Sequence, residues 1–229
     1  MRKSAVFASI ALMLASCTVS KAALVTTVLT LDAASPSVNT LDLTLFNINP
    51  VVQLGTTQTV LSGSIIAEIE INRDSGEITS VNLNGGTILG STWSMLVPAL
   101  GTTLTGTGTA GTADTDPDTT SVDINGNFNA APHRITLTGG EVNPGGTQLA
   151  GTDIDGSGLG LITSTLNGDQ WDIAFQMAID DSELLAGSNL VIQGNLVARG
   201  SVTAIPEPTS TLALTTFAGC LVFRRRRRK

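Results

Sequence analysis

The chain has 229 residues and a formal net charge of −7, and that figure conceals how its charge is distributed. Arg2, Lys3 and Lys21 lie at one end and Arg224 to Lys229 at the other, so only Arg73, Arg134 and Arg199 face all 19 acidic residues between Ala23 and Pro208, a net charge of −16. That stretch has no Lys, Tyr or Cys, which excludes a Schiff base, a P-loop lysine, a thiol nucleophile, a cysteine zinc site and a disulfide framework, and its charge repels nucleic acid.

The first 22 residues have the layout of an export leader. Arg2 and Lys3 precede an apolar run from Ala5 to Ala15, and Ser20-Lys21-Ala22 is a small-x-small site. Cleavage by a signal peptidase between Ala22 and Ala23 is the first reading. Leu14-Ala15-Ser16-Cys17 also fits a bacterial lipobox, which would make Cys17 a lipidated N-terminus.

From Ala23 onward the pattern is β. Leu41, Leu43 and Leu45 recur at a period of two. Ile65, Ala67, Ile69 and Ile71 face one way while Glu68, Glu70 and Asn72 face the other. Arg73-Asp74-Ser75-Gly76 then marks a hairpin, with Gly76 supplying the positive φ. Trp93, flanked by Ser91, Thr92 and Ser94, reads as an exposed ring suited to stacking on a sugar. Thr103 to Thr112 alternates Thr with Gly and Leu and reads as a flexible linker or edge hairpin; a flat threonine row of this kind can also order water.

Two acidic segments follow. Asp114-x-Asp116-x-Asp118, with Asp123 beyond, packs carboxylates onto a Gly/Thr/Pro stretch, the oxygen set that Ca²⁺ accepts. Thr119 and Asn125 stand where an EF-type loop needs Gly and a closing acid. Asp153-x-Asp155-Gly156 is a second partial match, more simply an exposed acidic turn. Between them His133, the only histidine, reads as a surface or strand-start residue; alone, it excludes a multi-histidine metal site.

Trp171, Ile173, Phe175, Met177 and Ile179 alternate with Asp172, Ala174, Gln176, Ala178 and Asp180, the clearest strand in the chain, with Trp171 on the core parity. Ser182 to Ala186 reads as a helical turn, and Leu190 to Ala204 as a long, Gly-interrupted ribbon. Leu-x-Gly segments at Leu61, Leu104, Leu149 and Leu185 hint at internal repetition, but their spacing is irregular. Trp93, Trp171, Phe46, Phe128 and Phe175 supply the large rings of the expected core.

After the ribbon come Pro206-Glu207-Pro208, an apolar run from Leu212 to Phe223 and the basic cluster Arg224, Arg225, Arg226, Arg227, Arg228 and Lys229. The prolines break any preceding regular structure. As a helix the apolar run spans about 18 Å against roughly 30 Å of bilayer hydrocarbon, which suits temporary retention better than permanent anchoring.

These three parts, in this order, resemble the PEP-CTERM sorting signal of Gram-negative and related environmental bacteria. The resemblance covers about 25 residues and says nothing of the body's activity. It implies an exosortase-type membrane peptidase acting near the triplet, inner-membrane transit, and delivery to the cell surface, outer membrane or exopolysaccharide matrix.

The expected organisation is therefore a signal peptide over 1–22, one all-β domain over 23–204 and a sorting segment over 205–229. The domain is expected to be a single antiparallel β-sandwich or barrel, flanked by an N-terminal signal helix and a C-terminal transmembrane-like helix. A non-catalytic surface or matrix protein is the first functional expectation. A carbohydrate- or calcium-binding module is the alternative, and a glycoside hydrolase working through paired carboxylates stands behind both.

Overall fold

The computed structural model describes residues 22–32, 38–116, 119–185 and 187–204. Thirteen strands account for nearly all of them: β1 (Ala23–Leu31), β2 (Thr40–Asn47), β3 (Val52–Ile71), β4 (Ile78–Gly90), β5 (Trp93–Val97), β6 (Thr102–Thr115), β7 (Thr120–Ser121), β8 (Asn127–Asn129), β9 (His133–Asn143), β10 (Thr147–Gln148), β11 (Asp153–Asn167), β12 (Gln170–Leu185) and β13 (Ser188–Thr203). Every pairing is antiparallel. The expected leader helix, Cys17 and the whole sorting segment lie outside the described residues, as does Asp118. Among the described residues no helix is long and apolar enough to cross a membrane.

The pairings close on themselves. From β2 the ladder passes through β3, β4, β6, β9, β11, β12 and β13 and returns to β2. An antiparallel ring needs an even number of strands, and this one has eight. The long strands serve both halves of the barrel while shorter ones share the remaining places. Between β3 and β13, β2 occupies one half and β1 the other. On the opposite wall, β6 and β9 give way below Thr115 and His133 to β7 and β8, which pair with β4 and β11 and meet through a Val122–Phe128 bridge.

Period-two alternation drives closure, because one face of each strand must leave water. Ile65, Ala67, Ile69 and Ile71 on β3 and Ile173, Phe175, Met177 and Ile179 on β12 are all buried. Phe128 stacks on Phe175 with ring centroids 5.4 Å apart, filling the half nearer the chain ends. The Arg73–Gly76 hairpin forms as its residues dictate, with Gly76 at φ 77°. It folds over that end of the barrel: the Trp171 indole N–H donates to the Arg73 carbonyl at 2.6 Å, and the Ser164 hydroxyl donates to the Gly76 carbonyl.

Several local expectations are corrected. Ser182 to Leu185 continue β12 as strand, because the Ser188–Val191 arm of β13 pairs with them across the hairpin; Ala186 is outside the described residues. Thr103 to Thr112 belongs to β6, an interior strand between β4 or β5 on one side and β9 on the other. Phe46 is only half-buried and lies in a shallow groove with Ile48, Val51 and Leu184. The four Leu-x-Gly segments fall at non-equivalent places in the barrel, two inside strands and two at turns.

The barrel has two distinct ends. Ala23 pairs with Ile71 and Thr203 with Gln170, so the first and last strands meet beside the 72–77 and 168–169 turns. The β2–β3 and β12–β13 turns lie at the far end, about 50 Å away along β12 at 3.3 Å per residue.

Candidate functional site

Three of the acidic residues singled out in the sequence, Asp114, Asp116 and Asp153, converge, but on a cation that the chain itself supplies. Arg134, near the start of β9, lies between β6 and β11, opposite Asp114 and Asp155 in the ladder. Its guanidinium reaches Asp114 at 3.2 Å, Asp116 at 3.2 Å and Asp153 at 3.7 Å. The hydrogen bond to Asp114, with the charges of Asp153 and Asp116, pushes the Arg134 pKa up. Asp153 also accepts a 2.6 Å hydrogen bond from the Thr136 hydroxyl. Asp153 and Asp155 begin β11 and form no exposed turn, because β9 supplies backbone partners for both.

Asp123 stands apart from this group. Its Oδ1 accepts the backbone N–H groups of Asn125 and Asn127, both at 2.8 Å, and its Oδ2 accepts from the Asn127 amide at 3.0 Å. These bonds, the Asn127 side chain first, hold its carboxyl below the usual range. Asp123 thus closes the β7–β8 turn as an Asx motif. Among the described residues no cluster of His, Cys, Asp or Glu has a metal-holding arrangement.

His133 does start a strand, but it is fully buried, which corrects the surface reading. Its Nδ1 lies 2.7 Å from the Thr115 hydroxyl, which accepts the Leu83 N–H at 2.8 Å. Phe128 packs against the ring edge-to-face at 5.1 Å, and Nε2 has no partner. Burial pushes the His133 pKa down to about 4, so the ring is neutral at ordinary pH and sealed from any substrate.

Trp93 is likewise buried, at 5 % exposure, where a sugar-stacking ring was expected. It points inward from β5 with Met95 and Val97, while the polar neighbours that suggested exposure occupy the outward parity or the preceding turn. Its indole covers Gly106, its partner in the ladder, where any Cβ would overlap the ring.

The structure reveals one feature that residue types alone did not mark. At the far end of the barrel β11 stops pairing with β12 beyond Gly156–Ile179, while β12 runs on to Leu185. Asp181 spans part of the resulting seam: its Oδ2 accepts the Asp155 N–H at 2.9 Å. Behind the seam lies a cavity of about 90 Å³, walled by leucines and isoleucines from the surrounding strands together with Trp93 and Thr109. Glu183 sits at its edge, and burial, then the charges of Asp181, Asp155 and Asp153, push its carboxyl pKa up. Asp155 is shifted the same way, again chiefly by burial.

The signal for Glu183 was present in the sequence. Carrying the Trp171–Ile179 alternation two steps further places Asp181 and Glu183 on the inward parity. The signal for Thr109 was not. A register shift between Thr107 and Ala110, with Gly108 at φ 64°, breaks the threonine row and leaves the Thr109 hydroxyl buried without a partner.

Comparison with protein-family models, curated proteins and solved structures finds no match to this chain.

Proposed function

We propose that this chain is an exported, non-catalytic β-barrel protein, sorted by an exosortase-type peptidase to the cell surface or exopolysaccharide matrix. The observation that carries the reading is the ordered set Pro206-Glu207-Pro208, Leu212 to Phe223 and Arg224 to Lys229, which follows directly on the last strand of the barrel. A signal like this needs a body that tolerates both flanking segments. Here the described body begins and ends at the same end of the barrel.

The chemistry of the body fits a structural role. Its histidine is enclosed, and three of its carboxylates are engaged by Arg134. A carbohydrate-binding reading loses its anchor with Trp93 in the core. A calcium-binding reading at Asp114 and Asp116 requires the ion to displace Arg134.

The test replaces Pro206, Glu207 and Pro208 together by alanine and follows the protein by cell fractionation. The variant is expected to accumulate in the inner membrane while the unaltered chain reaches the surface. Surface delivery at the unaltered level overturns the sorting assignment.

A further inference from the structure

The far end of the barrel carries no charge on its turns, in a body whose net charge is −16. The β2–β3, β5–β6, β9–β10 and β12–β13 turns all lie there, within 46–54, 95–104, 142–150 and 184–190, and none of those residues is Asp, Glu, Lys or Arg. The nearest acids, Glu141 and Glu183, stand just behind the rim, Glu183 on the inward parity. The near half differs, with Arg73, Asp74, Asp123 and Asp169 on its turns.

Apolar surface takes the place of charge. Ile48, Val51, Val52, Leu96, Leu100 and Leu184 are each between 51 and 76 % exposed. They follow one arc of the rim. Phe46, Ile48, Val51, Leu184 and Val191 line the shallow groove between the β2–β3 and β12–β13 turns. From there β3 carries the arc to β5, where a Cβ added at Gly55 would stand 2.6 Å from the Leu96 carbonyl, and β3 also packs against Pro98–Leu100. The exposed aliphatic side chains amount to roughly 700 Å². That exceeds the about 300–600 Å² of a monomer's usual largest patch and approaches the about 800 Å² that each partner gives a standard interface.

We infer that this rim is a self-association surface on which a second copy of the chain docks end to end. Side by side, two bodies of −16 repel each other, whereas rim to rim no charged side chain of the turns has to leave water. A membrane is the poorer fit, because the rim turns hold no Lys or Arg for anionic headgroups and no Trp or Tyr for the interfacial layer. A two-fold contact requires that where one residue meets another, the second meets the first. The rim has both halves of such a match, the groove at one end of the arc and Leu96 and Leu100 at the other. Placed crosswise, Leu100 of each copy enters the groove of the other, and both grooves fill. The contact is independent of how the chain is sorted.

The test gives the full chain one thiol per copy, on a background of Cys17→Ser and Cys220→Ser. Under mild oxidation, copies with Leu100→Cys mixed with copies with Leu184→Cys are expected to form covalent dimers several-fold more readily than either variant alone. Ile124→Cys is the control, 91 % exposed on the β7–β8 turn beside Thr79, and is expected to stay unlinked. Association driven by the segment beyond Ala204, where the described body ends beside Asp169, would link Ile124→Cys instead. Sedimentation of the unaltered chain is expected to show two copies per particle. Leu100→Asp and, separately, Leu184→Asp are expected to raise the dissociation constant by about tenfold or more with the melting temperature of the single copy unchanged. Single copies at the highest soluble concentration, an affinity unmoved by both substitutions, or linking as frequent with Ile124→Cys as in the mixture overturns the proposal. Linking in the mixture no greater than with Leu100→Cys alone overturns the crosswise register. Phosphatidylcholine vesicles that capture the unaltered chain but not Leu100→Asp, while the copies stay single, would assign the rim to a membrane and overturn the proposal as well.

Discussion

Asn39 meets Val197 as a peptide group would: its Oδ1 accepts the Val197 N–H at 2.7 Å while its Nδ2 donates to the Val197 carbonyl at 3.0 Å. The same Nδ2 donates to the Asp32 carbonyl at 2.9 Å, and the Asn39 carbonyl accepts the Leu61 N–H at 2.7 Å. The position explains the geometry. β1 and β2 share one place in the barrel wall, and Val197 lies where β13 passes from β1 to β2: the Asp32 N–H donates to its carbonyl at 3.0 Å, and Asn39 supplies the acceptor for its N–H. A carboxamide has the donor and acceptor of a backbone peptide, so Asn39 carries the pairing across the break.

Asn39 is only 1 % exposed, so its loss leaves the Val197 N–H without a partner in the interior. Asn39→Ala is expected to destabilise the fold by about 3 kcal/mol, the cost of an unsatisfied buried group together with the lost bonds. Asn39→Asp keeps the acceptor but turns an oxygen toward the Asp32 and Val197 carbonyls, and is expected to do no better at neutral pH. Urea unfolding reads both as a lower midpoint with an unchanged slope. An aspartate variant as stable as the original would show that the Nδ2 bonds contribute nothing.

The long strands were legible because both sides of the alternation were written in full. Ile65 to Ile71 and Trp171 to Ile179 each alternate four or more buried apolar residues with neighbours that, Ile66 apart, are polar or small, and they are the inner walls of β3 and β12. Trp93 was not legible. β5 is five residues long and presents only Trp93, Met95 and Val97 inward, too few to outweigh the serines and threonine around the ring. Asn39 left no mark, because an asparagine replacing a backbone peptide looks like any loop asparagine. Asp114 and Asp116 lie together as grouped, but Asp123 does not join them, and the sequence did not show that Arg134, 20 residues along the chain from Asp114, sits between them and Asp153. Closure of the barrel through two sets of partial strands is a property of register, which composition does not express.

His133 imposes a pH dependence whose sign follows from its burial. Its folded-state pKa is about 4, below the ordinary 6.5, so between those values the unfolded chain takes up a proton that the folded chain refuses. Stability from this group is therefore complete above pH 6.5 and falls as the pH drops toward 4, by up to about 3 kcal/mol. The raised carboxyls of Asp155 and Glu183 act in the opposite sense, contributing stability at low pH that is lost as pH rises through their folded values. Comparison with His133→Leu isolates the histidine. The melting temperature of the original is expected to fall more steeply than that of the variant between pH 6.5 and 4. Parallel curves would show that the ring is protonated without difficulty in the folded state.

Arg134 supplies a third test, because it competes with any metal for the same oxygens. Arg134→Gln leaves Asp114, Asp116 and Asp153 facing one another without a cation. The variant is expected to melt a few degrees lower at low ionic strength and to recover as salt screens the repulsion. Millimolar Ca²⁺ is expected to raise the melting temperature of the variant and leave the original nearly unmoved. A clear upward shift of the original would show that calcium displaces the guanidinium and would restore the metal-binding reading.

Trp93 and Gly106 are matched in size as well as in register. Any Cβ at Gly106 overlaps the indole, so the strand pairing and the position of the ring depend on the same absent methyl group. Gly106→Ala is expected to cost about 1–3 kcal/mol, as overpacking in a filled core does. Trp93→Leu is expected to cost about 3 kcal/mol or more through the space it opens. The double variant places the new methyl in that space, so it is expected to be more stable than the sum of the two losses requires, with a coupling of about 1 kcal/mol or more. Thermal or urea unfolding of the four proteins closes the cycle. Strict additivity would mean that the indole moves aside for the alanine; in the coupled outcome the glycine is what holds the ring in the cavity wall.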